Sequence, residues 1–284
     1  MKAGYFHKDE NAITCDLCFR HCRLSEGESG FCRVRRNLGG ELISSWLGRF
    51  CSAAIDPIEK KPLYHWHSGS YIYSLGSVGC NMNCPFCQNH RISWPPEPEK
   101  VYCREFSGYE LVREIKANGL NSLAFTYNEP TLQGEFICSI HDLMSENKID
   151  IALVTNGMMS ELAARDLAGA VSAANIDVKA FNSKTYNSLG GSLEAVKSNI
   201  ITFMNSGVHV ELTSLIVPGI NDNREEFALM ADWVAGVSQD IPLHVTRYFP
   251  ARDYHMPSTD IELIYELRDI AKGKLRHVHT GNIW

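Results

Sequence analysis

The stretch Gly79-Cys80-Asn81-Met82-Asn83-Cys84-Pro85-Phe86-Cys87-Gln88-Asn89 puts three cysteines into one short loop, spaced C-x3-C-x2-C. It follows directly on an apolar run at 71–76, so it reads as the turn leaving the C-terminal end of a strand. In βα folds that end of the sheet carries the chemistry. Gly79 and Pro85 let the loop curl, and three thiolates can then converge on one centre. Three are one too few for a closed tetrahedral zinc site or a fully thiolate-ligated [4Fe–4S] cube. A cube held by three leaves one iron open to an exogenous ligand. A zinc loop completed by a distant fourth ligand is the alternative.

Downstream of this loop, short runs rich in β-branched and aromatic residues alternate with helical patterns. With 71–76, the strand candidates are 122–127, 149–155, 174–179, 208–217 and 243–249. Start signals mark several helices between them: Ser107-Gly108-Tyr109-Glu110 has capping-box spacing, Ser160 precedes an alanine-rich stretch, Asn221-Asp222-Asn223 precedes 225–237, and Thr259-Asp260-Ile261-Glu262 opens the last. Strands that alternate with helices pair in parallel through right-handed crossovers. Periodicity alone leaves a barrel-like wrap and a doubly wound sheet open. Residues 1–69 differ: they are dense in Gly, Cys and Arg, with one strand-like stretch at 41–46. Such a segment packs against the repeat unit or is organised by a metal.

The composition of the 284 residues, 44% hydrophobic and 21% charged with a net charge of −6, excludes a disordered chain and gives non-specific nucleic-acid binding no electrostatic support. No run approaches the length of a membrane span, and the first ten residues lack the apolar core of a secretory signal. A cytoplasmic protein is expected, where clustered cysteines serve metals or catalysis rather than disulfides. Four of the ten, Cys15, Cys18, Cys22 and Cys32, form a C-x2-C-x3-C-x9-C burst, enough for a structural zinc or an auxiliary [4Fe–4S] cluster. The small size of the segment favours zinc, because metal would help it fold. Arg33, Arg35 and Arg36 beside it suit either an anionic partner or a solvated basic face. Cys51, Cys103 and Cys138 are isolated and read as small buried hydrophobes.

The loop at 79–89, with Phe86 immediately before its last cysteine, resembles the signature of the radical S-adenosylmethionine (SAM) superfamily. The resemblance implies an α/β fold, a partial (β/α)6 TIM-like barrel over 70–284, behind the cysteine-rich segment 1–69. It implies that Cys80, Cys84 and Cys87 hold three irons of a [4Fe–4S] cluster while SAM takes the fourth. An electron then cleaves the SAM C5′–S bond, and the 5′-deoxyadenosyl radical abstracts a substrate hydrogen. Further likenesses fall at successive strand ends. Asn128-Glu129 stands where relatives have a Gly-Gly-Glu-like turn meeting the SAM amino group, a departure in the glycines but not in the carboxylate; a helix N-terminal acid is the plainer reading of Glu129. Asn156 corresponds to a polar turn at the ribose. Asp177-Val178-Lys179 resembles an Asp-x-Lys pair of glycyl-radical activating enzymes, where an ordinary rim ion pair is the alternative. Val217-Pro218-Gly219 resembles a turn beside the adenine. Phe249 stands near a position where activating enzymes often have His, and His244 and Arg247 are further candidates.

Within the superfamily the chain is similar to the pyruvate formate-lyase activating enzymes, above all to the AmmeMemoRadiSam system radical SAM enzymes. That narrower likeness rests on Ile55-Asp56-Pro57-Ile58-Glu59-Lys60-Lys61-Pro62-Leu63-Tyr64-His65-Trp66-His67 and on the N-terminal cysteine pattern. It implies a low-potential electron donor such as flavodoxin or ferredoxin. It also implies a protein substrate whose glycine becomes a radical. A small metabolite, peptide or RNA is the alternative substrate, and a metal-binding partner module without turnover is the reading from a different class.

Overall fold

A computed structural model describes residues 2–283. Its central sheet takes eight strands in unbroken chain order: β1 Ser52–Pro57, β2 Tyr71–Gly76, β3 Ser122–Phe125, β4 Asp150–Thr155, β5 Ala173–Asp177, β6 His209–Ile216, β7 Leu243–Arg247 and β8 Val278–Gly281. Strands β2 to β8 pair in parallel, and β1 runs antiparallel along β2. A doubly wound sheet reverses its strand order at a switch point. Here the order never reverses, so the sheet is the partial TIM-like barrel, with β1 and β8 at its edges.

The six expected strands are β2–β7, and the structure adds two. Strand β1 escapes the sequence pattern because its residues are only half-buried at an edge and it ends on Pro57. Strand β8 reads Val-His-Thr-Gly and buries one residue of four, too little for a period-2 signal. Strand β3 stops two residues short of expectation, because Tyr127 turns into the left-handed region at φ 69°.

Helices α1 Gly108–Ala117, α2 Gly134–Glu146, α3 Glu161–Ala170, α4 Leu193–Asn205, α5 Arg224–Val237 and α6 Ile261–Lys272 follow β2 to β7. The capping box at Ser107 and Glu110 is formed, and Ser160 and Asn223 cap α3 and α5. In α6 the cap is Asp260 rather than Thr259. Thr259 is fully buried instead, donating to the Ile216 carbonyl at 2.6 Å and accepting from the Tyr248 N–H. No helix among the described residues is long and apolar enough to cross a membrane.

The N-terminal residues form more strand than the single stretch expected. Phe6–Asp9, Ala12–Cys15 and Arg23–Leu24 make one small antiparallel sheet, Arg35–Leu38 and Glu41–Ser44 a hairpin, and Arg49–Phe50 pairs with Arg104–Glu105. Strands of two to four residues are too short to show alternation. Their buried residues, among them Ile13, Leu17, Val34 and Leu42, join the same hydrophobic core as the barrel. The three arginines do not make one basic face. Arg33 donates to the carbonyls of Pro95 and Pro96, and Arg36 reaches Ser29 at the surface. Arg35 is 1% exposed and ion-pairs with Glu135 on α2, which also accepts from the Gly4 N–H at 2.9 Å. Removing one partner of such a pair strands a buried charge. Glu135→Ala is therefore expected to lower unfolding stability by ~3 kcal/mol in a urea titration. A loss under ~1 kcal/mol, the scale of a surface pair, would contradict this account of how the N-terminal segment docks.

Candidate active site

The C-terminal ends of the parallel strands surround a cavity of about 560 Å³. Cys80, Cys84 and Cys87 all line it. Their loop is braced from every side. Asn128 accepts from the Ser77 N–H and donates to the Gly79 carbonyl, both at 2.9 Å. Trp94 donates to the Met82 carbonyl at 2.6 Å, Arg252 to that of Cys84 at 3.0 Å, and the Asn83 N–H to Leu189. Gly79 sits at φ +97°, and a Cβ there would lie 2.8 Å from Val34 and 3.0 Å from the Cys32 carbonyl. Only glycine fits this contact between the loop and the N-terminal segment.

All ten cysteines are free. Burial pushes Cys80 well above the usual thiol range, aided by the Glu129 charge, and Cys84 up to about 11 against the pull of Lys179. A metal centre would therefore displace protons on binding here. Among the described residues no three His, Cys, Asp or Glu side chains converge closely enough to hold a single metal ion. A four-iron cube is wider than one ion, so its thiolates stand further apart. Three free thiols on one cavity wall fit that donor set.

Glu129 is 1% exposed, at the end of β3. Its Oε1 accepts from the Thr131 N–H at 3.0 Å, the Thr131 hydroxyl at 2.5 Å and the Thr155 hydroxyl at 2.7 Å, and its Oε2 from the Asn156 N–H at 2.9 Å. Burial raises its pKa above the ordinary carboxylate value, and these donors offset only part of the rise. It caps the 3-10 turn Pro130–Gln133 that precedes α2, so the helix-start reading is realised while the residue also lines the cavity. Asn156 passes the link on, donating to Asn81 Oδ1 at 2.9 Å and toward Cys80 Sγ at 3.6 Å.

Lys179 ion-pairs with Asp177 at 2.8 Å, and both line the cavity. Burial would lower the lysine's pKa, but Asp177 and the Cys84 sulfur raise it above the ordinary value. Phe86 is buried on the wall with its ring edge-on to Tyr254. Val217 is not on the wall. Strand β6 has ended at Ile216, and the fully buried Val217 gives its N–H to Asn221 Oδ1 at 2.6 Å; Thr213 and Leu215 line the cavity instead.

The four N-terminal cysteines are drawn together as well. The Cys15 N–H donates to the Cys22 carbonyl at 2.9 Å. Burial pushes Cys15 up to about 11 and Cys18 to about 12, with the other thiols of the burst adding to both shifts. Arg20 spans the two bursts: its guanidinium stacks on Phe31 at 3.4 Å and donates to the carbonyls of Asn81 and Gly190.

The cavity floor was not foreseen in the sequence. Residues between β1 and β2 fold under the barrel and bring Lys61 and Tyr64 to the wall. Lys61, 2% exposed, pairs with Asp56 at 2.7 Å, and the Tyr127 hydroxyl donates to the same carboxylate at 2.6 Å. Beneath them Glu211 accepts from the His65 backbone N–H and from the rings of His209 and His244, and His65 Nε2 is hydrogen-bonded to His279 Nε2 at 2.8 Å. A single acid in the apolar run Val210-Glu211-Leu212 was the available signal.

The Radical SAM superfamily model matches residues 75–234, which is more than half of the chain. The chain belongs to the radical SAM superfamily. With that membership come a [4Fe–4S] cluster and SAM. An uncharacterized protein of Methanocaldococcus jannaschii is 36% identical over 291 residues, spanning 100% of this chain and 86% of its own. The GTP 3′,8-cyclase of Clostridium acetobutylicum is 25% identical over 186 residues, 64% of this chain and 56% of the cyclase. The chain thus spans only about half the length of that second relative. Among solved structures, Streptococcus suis SuiB bound to S-adenosylmethionine superposes with a TM-score of 0.55 at 16% identity, over 71% of this chain and 48% of SuiB. At that identity the likeness is one of fold.

The floor network makes stability pH-dependent. Burial holds His279 down to about 4 from 6.5. Burial pushes Glu211 up, but its histidine and backbone donors bring it to about 2 from 4.5. In both cases the unfolded chain binds more protons, so stability is full at neutral pH and is lost as the pH falls. The His279 loss runs from 6.5 down to about 4 and the Glu211 loss from 4.5 down to about 2. The melting temperature should drop between pH 7 and pH 5, and His279→Gln should flatten that upper window while leaving the lower one. An unchanged melting temperature across pH 7 to 5 in the native protein would contradict it.

Proposed function

We propose that this radical SAM enzyme cleaves SAM reductively at a [4Fe–4S] cluster held by Cys80, Cys84 and Cys87, and uses the cleavage to take hydrogen from a small polar substrate. The observation that carries the reading is the meeting of three free thiols, a buried carboxylate and an Asp–Lys pair on one cavity wall. When bound, the cluster and SAM supply a one-electron reduction and a carbon-centred hydrogen acceptor. The chain's own residues do the positioning. Glu129 Oε2 accepts one hydrogen bond and keeps a lone pair for an ammonium. Lys179 offers a cation to the SAM carboxylate, and Asn156 joins the loop of Cys80 to the Glu129 turn. Asn128 braces the loop rather than the ligand, since both ends of its carboxamide are engaged. The packed floor closes the foot of the cavity and keeps water from the reacting centre.

The small-substrate reading rests on that floor. Lys60, Lys61, Tyr64 and His244 line the cavity together with Glu59, both lysines ion-paired to Asp56, a hydrogen-bonding surface of mixed charge suited to a polar molecule. The relatives named GTP 3′,8-cyclase act on such a molecule. Glycyl-radical activation of a partner protein is the second reading, favoured by the Asp177–Lys179 pair that resembles the activating enzymes. Either requires a low-potential electron donor such as flavodoxin or ferredoxin. A second cluster at Cys15, Cys18, Cys22 and Cys32 belongs to the same proposal; the zinc expected there finds no three side chains converging on a single ion among the described residues.

Cys80→Ala, Cys84→Ala and Cys87→Ala should each abolish the cluster absorbance and dithionite-driven SAM cleavage. Lys179→Met should weaken SAM binding about tenfold with the cluster intact, the scale of one charge-assisted hydrogen bond. Retained cleavage in any alanine variant sinks the assignment. Deuterium transfer into 5′-deoxyadenosine from a labelled small molecule, rather than from a partner's glycine, decides between the two substrate readings.

A further inference from the structure

Two cysteines outside both bursts stand side by side. Arg49–Phe50 pairs antiparallel with Arg104–Glu105, with Arg49 opposite Glu105 and Phe50 opposite Arg104. The Phe106 N–H donates to the Gly48 carbonyl at 2.8 Å in the same register, and continuing that register one position past the paired residues sets Cys51 opposite Cys103. Both residues are free and half-buried, and each thiol is the leading influence on the acidity of the other. They are 52 positions apart in the chain and carry no motif, which is why the sequence reads them as unrelated buried hydrophobes. Directly opposed residues of an antiparallel pair have Cα atoms about 4.5–5.5 Å apart, inside the span of about 4.4–6.8 Å that a disulfide bridges. Closure therefore needs only side-chain rotation.

We propose that Cys51 and Cys103 form a redox-active dithiol, which a low-molecular-weight disulfide oxidises to a cross-strand disulfide. Cys51 is the attacking thiol: it first loses to solvent the proton that it points at the Ser77 carbonyl, a loss the neighbouring Cys103 favours by holding Cys51 below the ordinary thiol range, while Cys51 and burial raise Cys103. The Cys51 thiolate attacks one sulfur of glutathione disulfide, releasing one glutathione and forming a mixed disulfide. Cys103, losing its proton to solvent, then attacks the Cys51 sulfur and releases the second glutathione. Two S–H bonds are exchanged for one S–S bond, and two electrons pass to the glutathione disulfide.

The position of the pair gives the oxidation something to act on. The Cys51 sulfur lies 3.1 Å from the Ser77 carbonyl, and the Cys51 N–H donates to Gly76 at 2.8 Å. Ser77 is also held by Asn128 and Gln133 and leads into the loop that carries Cys80. A disulfide removes the Cys51 thiol hydrogen from that carbonyl and ties the loop's base to the Arg104–Glu105 strand. The pair reports the cell's thiol balance at the root of the cluster loop.

The test is a redox titration of anaerobically purified, cluster-loaded protein in glutathione buffers of graded ratio, followed by alkylation, digestion and non-reducing peptide mapping. The expected result is a peptide linking Cys51 to Cys103, lighter by two hydrogens, that grows as a two-electron couple before cluster absorbance is lost. In Cys103→Ser the reaction should halt as a Cys51–glutathione adduct. Full alkylation of both residues at every ratio overturns the proposal. So does a link from either to another cysteine, or a wild-type protein that stops at the mixed disulfide.

Discussion

A buried carboxylate holds the ends of neighbouring strands together, and the site depends on it. Glu129 leaves β3, accepts from Thr155 and Asn156 at the end of β4, and through Asn156 reaches Asn81 in the cysteine loop after β2. A carboxylate with almost no exposure survives only when its lone pairs are met. Hydrogen bonds to a charged group are worth about 1.5–3 kcal/mol each, so four of them offset much of the desolvation of one carboxylate, whose pKa still stays raised. The same clamp aims the loop: without it, Thr131, Thr155 and Asn156 would keep buried donors with no acceptor. One interaction thus serves the fold and braces the start of the loop at Cys80 and Asn81.

Sequence alone carried the reading a long way, and the physics says why. The C-x3-C-x2-C loop is local, and its ligand count and spacing survive any tertiary arrangement. Parallel strands buried on both faces leave continuous apolar runs, so β2 to β7 were legible. The choice between barrel and doubly wound sheet was not, because strand order is a property of tertiary pairing. Val217 falls just past the end of β6, where the alternation of inward-facing residues is lost, and Thr213 and Leu215 reach the cavity wall in its place. The floor was hidden for a different reason. Lys61, Tyr64 and His65 come from a connection without periodicity, and Glu211 and His244 become partners only when β6 lies beside β7. The Cys51–Cys103 contact is likewise a matter of register between a two-residue strand and another such strand far along the chain.

The N-terminal residues are part of the same construction. Val34 and the Cys32 carbonyl press on Gly79, and Arg20 holds the carbonyls of Asn81 and Gly190. The loop is therefore packed between the barrel and the first cysteine burst. Arg35, buried and paired with Glu135, pins that burst to α2. Any rearrangement at Cys15, Cys18, Cys22 and Cys32 would act on the loop through these contacts.

The central claim is that Cys80, Cys84 and Cys87 hold a four-iron cube with one iron left for SAM. The most direct measurement is Mössbauer spectroscopy of anaerobically reconstituted, iron-57-enriched protein, with and without SAM, beside the Cys80/Cys84/Cys87 triple alanine variant. The account predicts a [4Fe–4S] spectrum in which SAM shifts one iron of the four, and its disappearance in the variant. A spectrum indifferent to SAM, or one that survives the loss of the three cysteines, would contradict it.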